Sequence, residues 1–400
     1  FSGCGGMDLG FEGGFKVFKK SIAEDTYDRF VERDLSKTYS ILKTTRFKTV
    51  FANDILKDAR NAWVHNFSKL EYSPGIFQSE SIVNLVKLHE IGIKVFPEKV
   101  DIVTGGFPCQ DFSVAGKRNG FESHRKHDGK LVSGDQPTEE TRGKLYYWMK
   151  RVIEITSPKM FIAENVKGLV NLSDVKDIIQ KDFASANGNG YIVLPPQVLH
   201  SADYGVSQSR ERVIFIGIKK SELNSIALSE LSKKNISDEY NPYPPITHKK
   251  ENYVKLKDLF KNLKEPSFST DLSQMNYSKA KFMGKHCQGQ SEINLNGIGP
   301  TIRAEHHGNI EFRRLSIENG GKYDFELNNN KRERRLTVRE CGLIQSFPPD
   351  FEFVVKSNES KKKFLISPSQ AYKIIGNAVP PLMAFNLAAR IEDLWDKYFN

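Results

Sequence analysis

Cysteine is scarce in this sequence, and the few cysteines are far apart. The 400 residues contain four of them, Cys4, Cys109, Cys287 and Cys341. Their wide and irregular spacing fits neither a disulfide framework nor a zinc-binding pattern. We therefore expect a protein of a reducing compartment, the cytoplasm, with no metal site.

Long apolar runs are also missing. No stretch approaches the roughly 18–20 consecutive apolar residues that a membrane span needs. The chain is 38% hydrophobic and 27% charged, which is typical of a soluble globular protein. Its length allows two domains with a sizeable core.

Negative charge is in deficit, because the formal net charge is +10. Residues 219–335 hold 21 Lys and Arg against 15 Asp and Glu, so most of the excess lies in this one part of the chain. A basic excess concentrated in one segment indicates a polyanionic partner such as nucleic acid. A solubilising surface would give the same count.

Residues 1–218 alternate between short apolar runs and helical patterns. The runs at 48–52, 100–104, 160–163 and 213–217 are largely apolar, as strands buried on both faces of a parallel sheet are. Residues 143–156 and 173–186 are predicted helices. This alternation predicts an α/β domain with a doubly wound, mostly parallel sheet.

The chain after residue 218 changes character twice. Residues 219–333 are rich in Lys, Asn and Ser, with a predicted helix at 221–234 and twisted short strands at 284–314. We interpret them as a second, smaller, mixed domain. Residues 334–400 return to helical patterns, with a strong helix after the Pro380–Pro381 pair, and we expect them to dock on the first domain.

The N-terminal stretch FSGCGGMDLGF contains a glycine turn followed by a helical pattern. Gly3, Gly5 and Gly6 would let backbone N–H groups approach a ligand at a helix N-terminus. A cofactor fold of this kind ends its second strand in a carboxylate that binds ribose hydroxyls, and Asp54 fits that position. Residues 24–25 are nearer the usual spacing, but they do not end an apolar run. Alternatively, Asp54 caps the next helix.

The stretch GGFPCQDFS places Cys109 on a turn directly after a predicted strand. A thiol in such a place becomes a nucleophile where its surroundings favour the thiolate. A lone cysteine is otherwise more often a buried structural residue. The turn position, rather than the middle of the apolar run, indicates that the side chain faces a ligand.

Two further strands carry charged residues at their ends. Glu164 ends the run MFIAENV, where burial would let the carboxyl group keep a proton and donate it to a ring nitrogen. Arg210 and Arg212 begin the run QSRERVIFI two residues apart, so both side chains should converge on an anionic or carbonyl-rich ligand. The alternative for all three residues is a side chain that simply faces water.

In their order, these stretches resemble the motifs of the DNA cytosine-5 methyltransferase family, of the bacterial restriction–modification type. FSGCGGMDLGF is similar to the motif that binds S-adenosyl-L-methionine, GGFPCQDFSVAG to the Pro-Cys motif, AENVKGL to the Glu-Asn-Val motif and QSRERVIFIG to the Gln-x-Arg-x-Arg motif. RRLTVRECGLIQSFP is similar to the motif that braces the recognition domain, and QAYKIIGNAVPP to the motif that closes the cofactor pocket. Together they span the chain except for its basic segment.

The resemblance implies a known chemistry for these positions. The target cytosine swings out of the duplex, Cys109 attacks its carbon 6, and carbon 5 then takes the methyl group. A base removes the carbon 5 proton and Cys109 leaves. Glu164, in its protonated form, hydrogen-bonds ring N3, Arg212 holds the carbonyl oxygen of the base, and Arg210 supports the loop.

The resemblance also implies the cofactor and its contacts. S-adenosyl-L-methionine would be held by glycine-turn, ribose-binding, adenine-packing and pocket-closing residues. In this sequence the set is Phe1, Gly3, Gly5, Gly6, Asp54, Ile55, Ile82, Phe107, Pro108, Leu145, Asn377 and Val379. Two positions depart from the family pattern: Ile55 stands where a large aromatic residue often follows the acid, and 80–82 is Glu-Ser-Ile instead of a Gly-Asp-Ile-like stretch.

Residues 219–333 correspond in position to the target-recognition domain of the family. Lysines and arginines there would contact phosphates, and polar side chains in TIRAEHHGNIEFRR would read bases. The candidate DNA-binding residues are Gln110, Ser113, Arg303, His306, His307, Asn309, Arg313 and Arg314. The long loop at 111–142 is expected to close over the DNA.

The resemblance favours a DNA cytosine-5 methyltransferase that acts as a monomer on double-stranded DNA, in a bacterial cytoplasm and associated with the nucleoid. A cognate restriction endonuclease would act on the same site. Two alternatives share the motifs: an RNA (tRNA) cytosine-5 methyltransferase and a non-catalytic DNA-binding homologue. The family fold also leads us to expect a further strand just before Phe1.

Overall fold

The computed structural model describes residues 1–108, 145–171, 174–304, 309–323, 325–329, 331–360 and 362–400. The strands are β1 (Lys16–Phe18), β2 (Val31–Asp34), β3 (Tyr39–Leu42), β4 (Ala52–Asn53), β5 (Phe77–Gln78), β6 (Ile102–Gly106), β7 (Met160–Val166), β8 (Tyr191–Val193), β9 (Gln197–His200), β10 (Glu211–Lys219), β11 (Phe312–Arg314), β12 (Arg334–Arg335), β13 (Val355–Lys356) and β14 (Phe364–Ile366). The α-helices are α1 (Gly6–Glu12), α2 (Tyr27–Phe30), α3 (Lys57–Phe67), α4 (Ile82–Glu90), α5 (Leu145–Thr156), α6 (Val175–Ala184), α7 (Ala186–Asn189), α8 (Ser225–Leu231), α9 (Leu256–Leu259), α10 (Leu272–Met275), α11 (Phe325–Asn328), α12 (Val338–Ile344), α13 (Pro368–Asn377) and α14 (Pro381–Phe399).

The main sheet is mixed: among the described strands, β6, β7, β8 and β9 share one direction and β10 runs against them. The prediction of a mostly parallel sheet is thus confirmed for the direction of these four strands and wrong for β10. Strand β6 pairs with β7 in parallel, with helix α5 as the crossover between them. Strand β10 pairs antiparallel with β7, β8 and β9. The connection 201–210 between β9 and β10 is too short for the crossover that parallel strands need, so β10 returns antiparallel to β9.

The predicted helices at 143–156 and 173–186 are confirmed as α5 and α6, and the helix after the proline pair as α14. The runs at 160–163 and 213–217 are confirmed as the centres of β7 and β10, which are buried along most of their length. Two predictions overstated the strands. Of 48–52, only the last residue lies in a strand, and of 284–314 the structure describes one strand, β11.

Helix α14 packs against α1 and so joins the two ends of the chain. Gly10 makes the close approach possible, since a Cβ atom there would lie 2.5 Å from the Pro381 carbonyl oxygen and 2.9 Å from the Phe385 amide. The 32 residues Pro368–Phe399 are long and apolar enough to span a membrane by composition. However, 89% of their most apolar window is buried inside the protein, as is typical of helices in a protein core.

Apolar side chains of the 219–333 segment join the same core as the two ends of the chain. Leu256, Phe260 and Ile302 belong to the buried cluster that contains α13 and α14. The 219–333 segment is therefore anchored to the rest of the molecule through a shared apolar core.

Candidate active site

Glu164 and Arg212 meet at one end of the main sheet. Glu164 lies near the end of β7 and Arg212 near the start of β10, and the two strands run antiparallel. The Arg212 Nε atom is 2.7 Å from Glu164 Oε1, and the side chains are only 12% and 9% exposed. The two side chains are therefore in direct contact, and the prediction that they face one ligand stays a prediction.

Strand β6 ends beside this pair. Gly106 is the register partner of Glu164, and a Cβ atom at Gly106 would lie 2.8 Å from Glu164 Oε2. The glycine therefore leaves the space that the carboxylate occupies. Asn165 Nδ2 donates to the Phe107 carbonyl at 3.2 Å, and Asn165 Oδ1 accepts from the Val166 amide at 2.8 Å.

These contacts fix the backbone that leads into the predicted nucleophile. Pro108 is the last residue described before the gap, so Cys109 itself, with Gln110 and Ser113, lies outside the described residues. Sequence reasoning missed Gly106 and Asn165 as site residues. The Gly-Gly doublet before Phe107 and the position of the asparagine directly after Glu164 are the patterns that could have identified them.

Arg210 is not part of this cluster, so the expectation that its side chain converges with Arg212 on a ligand, as a catalytic residue would, is wrong; its supporting role stays a prediction. Its guanidinium group donates to the carbonyl oxygens of Ile302, Gly376 and Ala378, and the residue is 1% exposed. It precedes β10, so the strand alternation assumed for Arg210 and Arg212 does not apply to it. An arginine with its donors on buried carbonyls cannot reach a ligand beside Glu164.

The glycine turn and the predicted ribose-binding acid are in direct contact. The Gly3 amide donates to Asp54 Oδ2 at 3.0 Å, and Asp54 Oδ1 accepts from the Leu56 amide at 2.9 Å. Gly3 and Gly5 have φ angles of 57° and 89°, which only glycine adopts without strain. A Cβ atom at Gly5 would lie 2.6 Å from the Phe67 ring, so the turn is packed tightly on α3.

The other predicted cofactor residues fall into three places. Ile82 and Leu145 are buried together in one apolar cluster, with Phe1 packed against it. Phe107 belongs to a different cluster, beside Tyr146. The remaining predicted residues include exposed positions, Ile55 and Asn377, and the buried Val379.

An open cavity of about 980 Å³, including space open to solvent, lies next to the glycine turn. Its walls are mainly residues 48–51 before β4 and residues 100–105 in and before β6, with Phe1 and Ile82 among the rest. Neither Asp54 nor Gly3 lines it, so we do not assign it to the cofactor. The predicted strand before Phe1 stays a prediction.

The structure contradicts the predicted base contacts of Arg313 and Arg314. Arg313 pairs with Glu326 at 2.8 Å, Arg314 pairs with Glu265 at 2.8 Å, and the two arginine side chains are 8% and 2% exposed. Both guanidinium groups are therefore committed to buried ion pairs. Both acids lie outside the stretch that suggested base reading, so that stretch gave no sign of these partners.

The other candidate readers are less constrained. Arg303 is partly exposed, with its Nη2 atom 2.9 Å from Glu311 Oε1 and 3.3 Å from the Asn309 carbonyl oxygen. Asn309 is half-buried. His306 and His307 lie outside the described residues, so their predicted role stays a prediction.

Comparison with solved structures places the fold. The methyltransferase EhMeth of Entamoeba histolytica superimposes with a TM-score of 0.56 over 98% of this chain and 97% of that chain, at 16% sequence identity. The α/β fold of this chain is thus shared with that methyltransferase.

Sequence comparison defines the family. The family model for C-5 cytosine-specific DNA methylases matches residues 1–393. The Type II methyltransferase M.BsuRI of Bacillus subtilis is 32% identical over 98% of this chain and 78% of its own length. M.FnuDI of Fusobacterium nucleatum, also a Type II methyltransferase, is 30% identical over 99% of this chain and 94% of its own length. The chain belongs to the C-5 cytosine-specific DNA methylase family, and the predicted enzyme class, a DNA cytosine-5 methyltransferase, is confirmed.

Proposed function

We propose that this enzyme methylates a cytosine that is swung out of duplex DNA, within one short specific site, through a covalent adduct at Cys109. The observation that carries the proposal is the buried Glu164–Arg212 pair at 2.7 Å, next to the backbone that leads into Cys109. A carboxyl group and a guanidinium group side by side match ring N3 and the adjacent carbonyl oxygen of a cytosine.

Each of these residues has a distinct task in the proposed reaction. The Cys109 thiolate adds to carbon 6, while Glu164 donates a hydrogen bond to N3 and so stabilises the electron-rich ring. Arg212 holds the carbonyl oxygen. S-adenosyl-L-methionine, when bound, supplies the methyl group that carbon 5 accepts. Removal of the carbon 5 proton then returns the electron pair to the ring and releases Cys109.

The glycine turn and Asp54 suit S-adenosyl-L-methionine. Each Asp54 oxygen accepts one backbone N–H and keeps a further lone pair for a ribose hydroxyl. A Cβ atom at Gly3 would meet no atom within 4 Å, so one face of the turn is open to a ligand. We infer that Phe1, Ile82 and Leu145 pack on the adenine and that Asn377 and Val379 close the pocket.

We propose that residues 219–333 form the target-recognition domain. Exposed cations remain on this segment after the buried arginines are set aside: Lys279, Lys281, Lys285, Lys322, Lys331 and Arg332. They supply positive charge for phosphate contacts, while Arg303 and Asn309, with His306 and His307, are candidates for base contact. As the relatives are named Type II methyltransferases, we also propose a monomeric, cytoplasmic, nucleoid-associated enzyme with a cognate endonuclease.

The direct test incubates purified protein with tritiated S-adenosyl-L-methionine and unmethylated mixed-sequence duplex DNA, followed by bisulfite sequencing. We expect methylated cytosines within one short motif. The Cys109→Ser variant should lose methyl transfer and still bind the duplex. Transfer to tRNA instead of duplex DNA, or transfer by the Cys109→Ser variant at the wild-type rate, would contradict the proposal.

A further inference from the structure

Residues 299–304, which we call the approach segment, lie against the chain that leads into β10. The Ser209 amide donates to the Gly299 carbonyl at 2.8 Å, and Gln208 Oε1 accepts from the Ile302 amide at 3.0 Å. The approach segment continues directly into the candidate base-reading residues. The position of the approach segment therefore determines the point from which the chain enters those residues.

Arg210 joins the approach segment to a second piece of chain, residues 376–379, which we call the closing loop. Its Nη1 atom donates to the Ile302 carbonyl at 3.0 Å, and its Nη2 atom donates to the carbonyls of Gly376 and Ala378 at 2.9 Å each. A buried guanidinium group that satisfies three carbonyls on two separate segments holds both segments in one geometry.

Gly376 brings the same two segments into backbone contact. A Cβ atom there would come closer than 3.0 Å to the backbone of Arg303 and Ala304, a distance that real Cβ atoms essentially never show. Gly376 lies within helix α13 and its φ angle is not positive, so the helix itself would accept alanine readily. The packing against the approach segment, and not the local conformation, requires glycine here.

The closing loop touches the glycine turn on its other side. A Cβ atom at Gly6 would overlap the Val379 carbonyl oxygen. The closing loop is thus a shared wall, with the proposed cofactor turn on one face and the approach segment to the DNA-reading residues on the other. Because protein interiors pack closely, a displacement of the closing loop on the side of the glycine turn would also displace the approach segment on its other side.

We propose that Arg210 and Gly376 are positioning residues that couple the two binding sites, so that a filled cofactor pocket fixes the approach segment in its DNA-binding arrangement. This proposal rests on the proposed function. Linkage makes the coupling reciprocal, because DNA must then raise cofactor affinity by the same factor. Coupling of this kind is typically about 5–150-fold.

The test measures the ratio of duplex dissociation constants without and with S-adenosylhomocysteine. General damage to the fold would change both constants and leave their ratio largely unaffected. The dissociation constant of a duplex carrying the methylated motif is measured by fluorescence anisotropy, with and without saturating S-adenosylhomocysteine. Wild type is compared with Gly376→Ala, with Arg210→Lys and with Gly297→Ala. Gly297 is the matched control, since it lies in the same part of the chain and a Cβ atom there would be no nearer than 3.5 Å to its neighbours.

We expect S-adenosylhomocysteine to tighten duplex binding at least fivefold in wild type and in Gly297→Ala. The ratio should fall towards one in Gly376→Ala and Arg210→Lys, with each ligand alone still bound. Arg210→Lys keeps the test decisive should Gly376→Ala not fold, because lysine retains the charge but not the three fixed hydrogen bonds. An unchanged ratio in the folded variants, or a wild-type ratio of one, would overturn the inference. A wild type that methylates no duplex DNA contradicts the proposed function instead.

Discussion

Because Gly106 has no side chain, the Glu164 carboxylate has room beside it. We expect Gly106→Ala to slow methyl transfer about a hundredfold, because a catalytic group displaced by about 1 Å costs on that order. Single-turnover transfer of the tritiated methyl group measures the rate, and anisotropy measures duplex affinity separately. Gly75→Ala is the control, as the nearest atom to its Cβ would be 3.6 Å away. An unchanged transfer rate in Gly106→Ala would show that Glu164 does not need this position.

The predicted positions of Glu164 and Arg212 at the ends of buried strands are confirmed, because an apolar run indicates where a strand begins and ends. Sequence reasoning misassigned Arg210 and Arg314 for a common reason. The sequence shows that an arginine is charged but not which group it pairs with. Arg210 pairs with backbone carbonyls and Arg314 with an acid distant in sequence. Cys109 was predicted from its motif, and the described residues show only the backbone that leads to it.

Buried ion pairs tie the 219–333 segment to helix α12. Arg313 is 2.8 Å from Glu326 and 3.5 Å from Glu340, while Arg334 is 2.8 Å from Glu340 and 3.2 Å from Glu265. Glu340 belongs to α12, so the short strands β11 and β12 are fastened to a regular helix through charges. With few long elements in this segment, the network substitutes for regular structure in fixing its shape.

The network makes stability depend on acid pH. Burial alone would raise the pKa of Glu265 and of Glu326, but hydrogen bonds and charges of Arg313, Arg314 and Arg334 outweigh burial and lower each pKa to about 2. The unfolded carboxyl groups have a pKa of about 4.3. Their stabilisation is therefore fully present above that pH and is lost as the pH falls towards 2.

We expect Glu326→Gln to lower the free energy of unfolding by about 3 kcal/mol at pH 7, because two arginines lose a buried partner. The difference from wild type should shrink as the pH falls below about 4, where wild type loses the same interaction. Urea denaturation followed by circular dichroism at both pH values measures this. The exposed Glu318→Gln serves as control, and a difference that stays constant with pH would contradict the argument.

The elements themselves were only partly predictable. Helices α5, α6 and α14 follow from long periodic patterns, and β7 and β10 from fully apolar runs, which depend on the local sequence alone. Strand direction does not depend on local sequence. The antiparallel pairing of β10 with β9 follows from the short connection 201–210, and its order beside β7 follows from tertiary contacts that no pattern encodes.

The net charge of +10 acts through cations that remain exposed, and those beside the reading segment should matter most for DNA. Arg335 donates to the carbonyls of Ala280 and Lys281 and also contacts Ile310, so residues 279–285 lie alongside the chain that begins at Asn309. Three exposed lysines of this stretch, Lys279, Lys281 and Lys285, are therefore expected to contact phosphates.

Replacing these three lysines with glutamine tests whether they contact phosphates, through the salt dependence of duplex binding. Each phosphate contact contributes about 0.9 to the slope of log affinity against log salt, so the slope should fall by roughly 2–3 in the triple variant. Duplex titrations between about 50 and 200 mM salt measure it. The exposed pair Lys94→Gln with Lys99→Gln, which follows α4 and is not part of residues 219–333, should leave the slope unchanged. Because phosphate contacts carry no sequence information, the triple variant should weaken binding to all duplexes alike and keep its methylated motif. An altered motif with an unchanged slope would mean that these lysines read bases and that other cations neutralise the phosphates.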